Sequence, residues 1–193
     1  MPPTPARRLL LVGMMGAGKT TVGHVLADRL GWRYVDSDAE VEAFTGRTVK
    51  ELFESGGEEA FRPVESEALA AALAEDGPAV VSVAGGAVLD PANRRLLRRA
   101  GTVVWLRATP ETLFERVRPD EAAATRDPGG LPDHRPLLEG DPAGTLARLD
   151  HERRDVYAEV SDLVVDVDDL VPDAVADRVL DAVGATGDAV PRT

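Results

Sequence analysis

An open α/β domain, with a doubly wound parallel sheet flanked by helices, is the fold this sequence predicts, and three observations predict it. Short runs rich in aliphatic and β-branched residues alternate with longer segments of helical composition, the pattern of βαβ units. A glycine-rich turn, GMMGAGKTT, joins the first such run directly to the first helical segment. Helix starts and stops are punctuated by cap residues, prolines and glycines where each is favoured.

Taken in order, RLLLV (8–12) reads as a buried strand, and TTVGHVLADRL (20–30) as a helix closed by Gly31. WRYVD (32–36) is the second strand. The helix AEVEAF ends at Gly46, and VKELFES starts after Thr48 as N-cap and ends at Gly56. A helix containing FRPVE then runs to about Glu75. AVVSV (79–83) is the third strand, followed by Gly85 and Gly86. Asp90 and Pro91 open the helix ANRRLLRR, TVVWLR (102–107) is the fourth strand, and Thr109 with Pro110 opens ETLFERV. Arg118 to Asp133, rich in Pro, Gly, Asp and Ala, predicts an exposed, mobile loop. A long helix follows to about Val160, then a fifth strand LVVDV (163–167) and a closing helix VPDAVADRVLDAV. The last residues, about 184–193, read as a frayed tail. One domain of 193 residues is expected, with no repeat and no second unit.

Composition narrows the function classes. With no cysteine there is no thiolate metal site, no disulfide framework and no cysteine nucleophile. His24, His134 and His151 lack metal-ligand spacing. No apolar run approaches the ~20 residues of a membrane span, and the apolar stretch after MPPTPARR is too short for a signal peptide. A cytoplasmic protein with no membrane partner is expected. A net charge of −12 argues against nucleic-acid binding by counterion release, but a local cluster of cations can still hold a small anion. Of 22 basic residues only Lys19 and Lys50 are lysine.

The turn between the first strand and helix matches G-x-x-x-x-G-K-[ST] from Gly13 to Thr20. Glycines let the backbone wrap so that amide N–H groups point at phosphate oxygens, and the helix N-terminus adds its positive end. In such a loop the lysine reaches the β- and γ-phosphates and the Ser or Thr hydroxyl ligates Mg²⁺, roles that fall here to Lys19 and Thr20. The loop predicts a nucleoside triphosphate with Mg²⁺, bound by Gly13, Gly16, Ala17, Gly18, Lys19, Thr20 and Thr21.

Asp36 and Asp38 end the second strand, at the sheet edge where open α/β folds bind ligands. One carboxylate near Mg²⁺ and one free for substrate hydroxyls is one reading; a helix N-cap at Ser37 or Asp38 is the other. Arg62, next to Pro63, is on residue type alone a surface charge.

Together GMMGAGKTT, DSD, FRPVE, AGGAV, RPLL and RRDVY resemble the shikimate kinases in order and spacing, over roughly residues 8–183. The resemblance implies a small P-loop kinase fold with five parallel strands and a mobile lid over about 118–134. It also implies transfer of the ATP γ-phosphoryl to the 3-hydroxyl of shikimate, in aromatic amino acid biosynthesis. Asp36 and Ser82 would then join Thr20 at Mg²⁺. Asp38 would hold the ring hydroxyls and accept the proton of the attacking one. Arg62 and Arg153 would grip the shikimate carboxylate with help from Gly85 and Gly86, and Glu65 would orient Arg62. Arg135 would enter from the lid beside Lys19, with Arg126 a competitor for that role. Arg116 and Pro172 would flank adenine. The chain departs from the family in reading Ala84-Gly85-Gly86 where three glycines are usual, and in its longer lid. Pro63 is expected in the first helical turn or at a small kink. A monomer is expected. Other readings are a gluconate-kinase-like enzyme, a nucleoside monophosphate kinase, and a non-catalytic ATP-binding domain.

Overall fold

The computed structural model describes residues 8–117 and 141–185. Strands β1 (Arg8–Val12), β2 (Arg33–Asp36), β3 (Ala79–Ser82), β4 (Thr102–Arg107) and β5 (Leu163–Asp166) alternate with helices α1 (Lys19–Leu30), α2 (Ser37–Thr45), α3 (Val49–Ala74), α4 (Pro91–Ala100), α5 (Pro110–Val117), α6 (Pro142–Val160) and α7 (Pro172–Ala185). The strands form one five-stranded sheet in the order β2-β3-β1-β4-β5, and each pairing is parallel.

Burial explains why the central strand is written as an unbroken apolar run. All five residues of β1 are buried, because helices cover both faces of a parallel sheet. The edge strand β5 alternates instead, with only Val165 buried. Leu10 and Leu11 are fully enclosed, so cutting either to alanine would cost about 2–5 kcal/mol. Arg8, itself buried, donates from its guanidinium to the carbonyls of Glu75 and Ala100, tying the start of β1 to the ends of α3 and α4.

The punctuation acts as predicted at most boundaries. Gly31 and Gly46 close α1 and α2 in the left-handed conformation. Thr48 and Glu51 form a reciprocal capping box at the start of α3. Asp90 caps α4 with Pro91 behind it, and the Thr109 hydroxyl accepts from the Thr112 amide at the start of α5.

Three expectations need correction. The two helices expected on either side of Gly56 run on as α3, interrupted by one non-helical residue, Gly57, at φ 67° and ψ −173°. Pro63 lies neither in a first turn nor at the break: it is the sixth residue after Gly57 and sits in continuous helix. Its missing N–H leaves the Glu59 carbonyl without an in-helix donor. The last helix outruns its expected end, keeping Gly184 and Ala185 within α7. The lid, with Arg126 and Arg135, and the tail beyond Ala185 lie outside the described residues.

The strand order places the site. From β1 the chain crosses to the β2 edge, returns to β3 beside β1, then passes to β4 on the far side. The winding therefore reverses between β1 and β3, and a ligand crevice opens at the carboxyl ends of those strands.

Candidate active site

The turn after β1 is shaped by close approaches that only glycine permits. Gly13 has φ 143°, and a Cβ there would lie 2.6 Å from the Leu106 carbonyl oxygen of β4. Gly18 caps α1 in the left-handed region, at φ 89°, and as glycine offers no side-chain cap to the helix start. No acidic residue lies in that first turn. The Lys19 ammonium donates to the carbonyls of Gly13 and Met14, at 3.0 and 3.1 Å, which folds it back over the loop. Uncapped N–H groups, a helix dipole and an ammonium thus converge, a fit for a polyphosphate. Ala17 is buried beneath the loop, and Thr20 follows Lys19 on the crevice side of Thr21, which is exposed.

Three adjacent strand ends bring oxygen donors together. Asp36 ends β2 in register with Ser82, the last residue of β3, and Ser82 pairs with Leu11 of β1. Thr20 stands in the first turn after β1. The Asp36 carboxylate accepts from the Asp38 amide at 3.0 Å and from the Tyr34 hydroxyl at 3.1 Å. Asp36 is therefore the N-cap of α2, whereas Ser37 or Asp38 was the cap expected on the alternative reading. The reason is that α2 follows β2 with no intervening loop. Ser37 instead accepts from the Ala84 amide at 2.8 Å, tying α2 to the turn after β3.

Freed from capping, Asp38 is half-buried and its pKa rises to about 7. Burial contributes most, then the charges of Asp36, Glu65 and Glu42, while Lys19 opposes them. The carboxyl thus lies within electrostatic reach of both the phosphate-loop lysine and the acidic partner of Arg62.

That partner belongs to a clamp. Arg62 donates from Nη1 to Glu65 at 2.7 Å and from Nε to Glu58 at 3.0 Å. Burial works against the guanidinium charge, but Glu65 and Glu58 outweigh it and raise the pKa. Glu65 is almost fully enclosed; burial raises its own pKa, with Arg62 and then Arg153 opposing. Arg153, on α6, is 4% exposed and its Nε has no hydrogen-bond partner among the described residues. Tyr157, one turn on, is fully buried, stacks on Trp105 and donates to the Gly85 carbonyl at 2.7 Å.

The turn after β3 joins the two halves. A Cβ on Gly85 would lie 3.1 Å from the Gly13 carbonyl oxygen, 3.2 Å from the Tyr157 hydroxyl and 3.7 Å from Arg153 Nη1. A Cβ on Gly86 would collide with the Arg62 guanidinium. Both glycines are the floor on which the two arginines rest. Ala84, at the departure from a triple glycine, stands beside that floor and gives its amide to Ser37.

Lys19, Thr20, Asp36, Asp38, Ser82, Arg62, Gly85, Gly86 and Arg153 therefore gather around one crevice. Arg116 and Pro172 stand apart, at the other end of the phosphate loop: Arg116 donates to the Val167 carbonyl at 2.6 Å, on the connection that leads into α7. Sequence reading missed Tyr34, Ser37, Glu58 and Tyr157. A signal for Tyr34 existed, since residues two apart on a strand share a face. Glu58 had one too, standing four residues before Arg62 on one helix; nothing local marked Ser37 or Tyr157.

A family model described as shikimate kinase matches residues 15–184. The chain belongs to the shikimate kinase family. A shikimate kinase of Symbiobacterium thermophilum is 49% identical over 154 residues, 79% of this chain and 82% of the relative. Among solved structures, a shikimate kinase from Acinetobacter baumannii in complex with shikimate superposes with a TM-score of 0.82 at 32% identity, covering 95% of this chain and 96% of that one. A gluconokinase from Sinorhizobium meliloti reaches a TM-score of 0.60 at 18% identity over 95% of this chain and 94% of its own, a likeness of fold alone. The family assignment therefore favours a shikimate kinase over the gluconate-kinase-like alternative. Among the described residues no helix is long and apolar enough to cross a membrane.

Proposed function

We propose that this chain is an ATP- and Mg²⁺-dependent shikimate kinase, transferring the γ-phosphoryl group to the 3-hydroxyl of shikimate and releasing ADP. One observation carries the reading: Asp38 feels the charges both of Lys19, which serves phosphate, and of Glu65, the partner of Arg62, which serves a carboxylate. A nucleotide sensor has no use for the second half of that arrangement. The enzyme is read as a single cytoplasmic domain acting as a monomer without membrane partners, and its net charge of −12 is in keeping with the absence of a nucleic-acid partner.

Shikimate lies with its carboxylate on Arg62 and Arg153. Planar guanidinium groups suit a carboxylate because two parallel N–H donors match its two oxygens. The unpartnered Nε of enclosed Arg153 leaves that residue with donor capacity to spare. Glu58 and Glu65 hold Arg62 from its other edges, so little rotamer freedom is lost when substrate arrives.

The ring hydroxyls then reach Asp38, which accepts the proton of the 3-hydroxyl. Its raised pKa suits a general base near neutral pH. The hydroxyl oxygen forms a bond to the γ-phosphorus as the bond to the bridging oxygen of ADP breaks. Charge spreads over the transferred group, and Lys19 with the amides of the loop neutralises it where it develops. Arg135 of the lid is the further cation of this reading, and Arg116 with Pro172 flanks adenine.

The residues at the strand ends fit Mg²⁺. They offer two hydroxyls, Thr20 and Ser82, and one carboxylate, Asp36, a hard oxygen set. Among the described residues no three His, Cys, Asp or Glu side chains gather as a metal cage, so phosphate oxygens and water would complete the shell. When bound, Mg²⁺ would neutralise the β- and γ-phosphates, with Thr20 as direct ligand and Asp36 and Ser82 acting through water.

The test is ADP release with ATP and Mg²⁺, with shikimate, gluconate or AMP as acceptor. Shikimate alone should stimulate turnover, and Arg62→Ala should lower kcat/KM for shikimate by roughly 10²-fold with the fold intact. Binding of ATP with no stimulation by shikimate would overturn the acceptor assignment.

A further inference from the structure

Tyr34 stands beside the metal end of the site in a role that the phosphoryl-transfer scheme leaves unassigned. It lies two residues before Asp36 on β2, and strand alternation turns both side chains to the same face. Its hydroxyl donates to Asp36 Oδ2 at 3.1 Å, while Oδ1 of the same carboxylate takes the Asp38 amide at 3.0 Å. The hydroxyls of Thr20 and Ser82 also face this phenol. Every oxygen donor assigned to Mg²⁺ thus surrounds one tyrosine.

The ring is held firmly. Gly23 sits in the middle of α1, where alanine would be the better helix former by about 1 kcal/mol. A Cβ there would come within 2.5 Å of Tyr34 Cε2, so the glycine leaves space for the ring. The His24 ring also lies against it, with centroids 3.9 Å apart.

We infer that Tyr34 is a positioning residue for the metal: its hydroxyl, with the Asp38 amide, locks the rotation of the Asp36 carboxylate and so fixes which of its lone pairs would be left to hold the cation. This rests on the assignment of Asp36, Thr20 and Ser82 to Mg²⁺. A neutral donor is the right kind for this task, because a lysine or arginine there would cancel the negative charge that attracts the cation. A phenol keeps its proton at neutral pH, so the hydroxyl is available as a donor. Outer-shell donors to a ligating carboxylate commonly set metal affinity.

The test is Tyr34→Phe, which removes the hydroxyl and keeps the ring packed against Gly23 and His24. Binding of Mn²⁺ to the protein–ADP complex, followed by electron paramagnetic resonance, is compared for wild type, Tyr34→Phe, Asp36→Asn and the double variant. Tyr34→Phe should raise the Mn²⁺ Kd about tenfold, with the Kd for metal-free ADP and the KM for shikimate unchanged. In the Asp36→Asn background the same change should add less than about twofold, because the carboxylate it orients is gone. If Asp36→Asn weakens Mn²⁺ binding and Tyr34→Phe does not, Tyr34 is a packing residue and the inference fails. If Asp36→Asn leaves Mn²⁺ affinity unchanged, the assignment of Asp36 to the metal fails and the inference falls with it.

Discussion

The phosphate half and the acceptor half of the crevice are built in opposite ways. The phosphate half is one contiguous turn, Gly13 to Thr20, in which backbone amides and a helix end provide the positive field and a single side chain, Lys19, is added. The acceptor half is built from side chains at residues 62, 65 and 153, brought together from α3 and α6 and resting on a glycine turn after β3. Backbone donors cannot be mutated away one by one, whereas each clamp arginine depends on its own buried partners. A polyphosphate site of the first kind serves many chemistries; a side-chain clamp of the second kind carries the specificity.

The comparison is broken most severely at Lys19. Lys19→Ala should lower kcat by roughly 10²- to 10³-fold, the usual loss for one preorganised donor at a developing charge. Calorimetry should find shikimate binding to the free protein little changed, because the clamp does not include Lys19. A parallel loss of shikimate binding would mean that the two halves are a single unit.

Asp38, at the seam, comes next. Its pKa is raised by burial and by neighbouring acids, so the folded state holds this proton more tightly than the unfolded chain. Folding stability from this group is then unaffected at low pH and falls as pH rises from about 4 to about 7. Asp38→Asn removes the penalty. The variant should be inactive yet more stable than wild type at pH 8 by roughly 2 kcal/mol, about half the full value of the shift because the side chain is partly exposed. Denaturant titrations at pH 4 and pH 8 measure it, and the gain should vanish at the lower pH.

The smallest effect isolates the clamp. Gly86→Ala places a methyl group against the Arg62 guanidinium. The end of a flexible side chain can move aside, so stability should change by less than about 1 kcal/mol. The displaced guanidinium should raise the KM for shikimate roughly tenfold while leaving that for ATP unchanged. Equal effects on both substrates would show that the turn after β3 serves the phosphate half as well, as its contact with Gly13 allows.

Legibility follows the same division. The phosphate turn could be read directly, because its chemistry is local: glycines, lysine and threonine at fixed spacing between a strand and a helix. All five strands were legible too, to within a residue at each end, because buried parallel strands are short apolar runs bounded by turns. The clamp was not. Arg62 alone reads as a surface charge, and its role came from the resemblance to a family carried by six scattered motifs. Tyr157 escaped because its partner, Gly85, meets it only through tertiary packing; Glu58 stood at readable i,i+4 spacing from Arg62, but that spacing alone marks an ordinary surface pair.

What the sequence determined by itself were the alternation of strands and helices, the ends that glycine, proline and cap residues mark, and the phosphate turn. Each depends on interactions within a few residues, whose geometry is set by backbone sterics. The tertiary structure alone decided that Asp36 lies level with Ser82, that Tyr157 meets Gly85, and that Arg62 and Arg153 share one glycine floor. Those outcomes depend on strand order and register, which bring together residues dozens of positions apart, and no local propensity encodes a distance across a sheet.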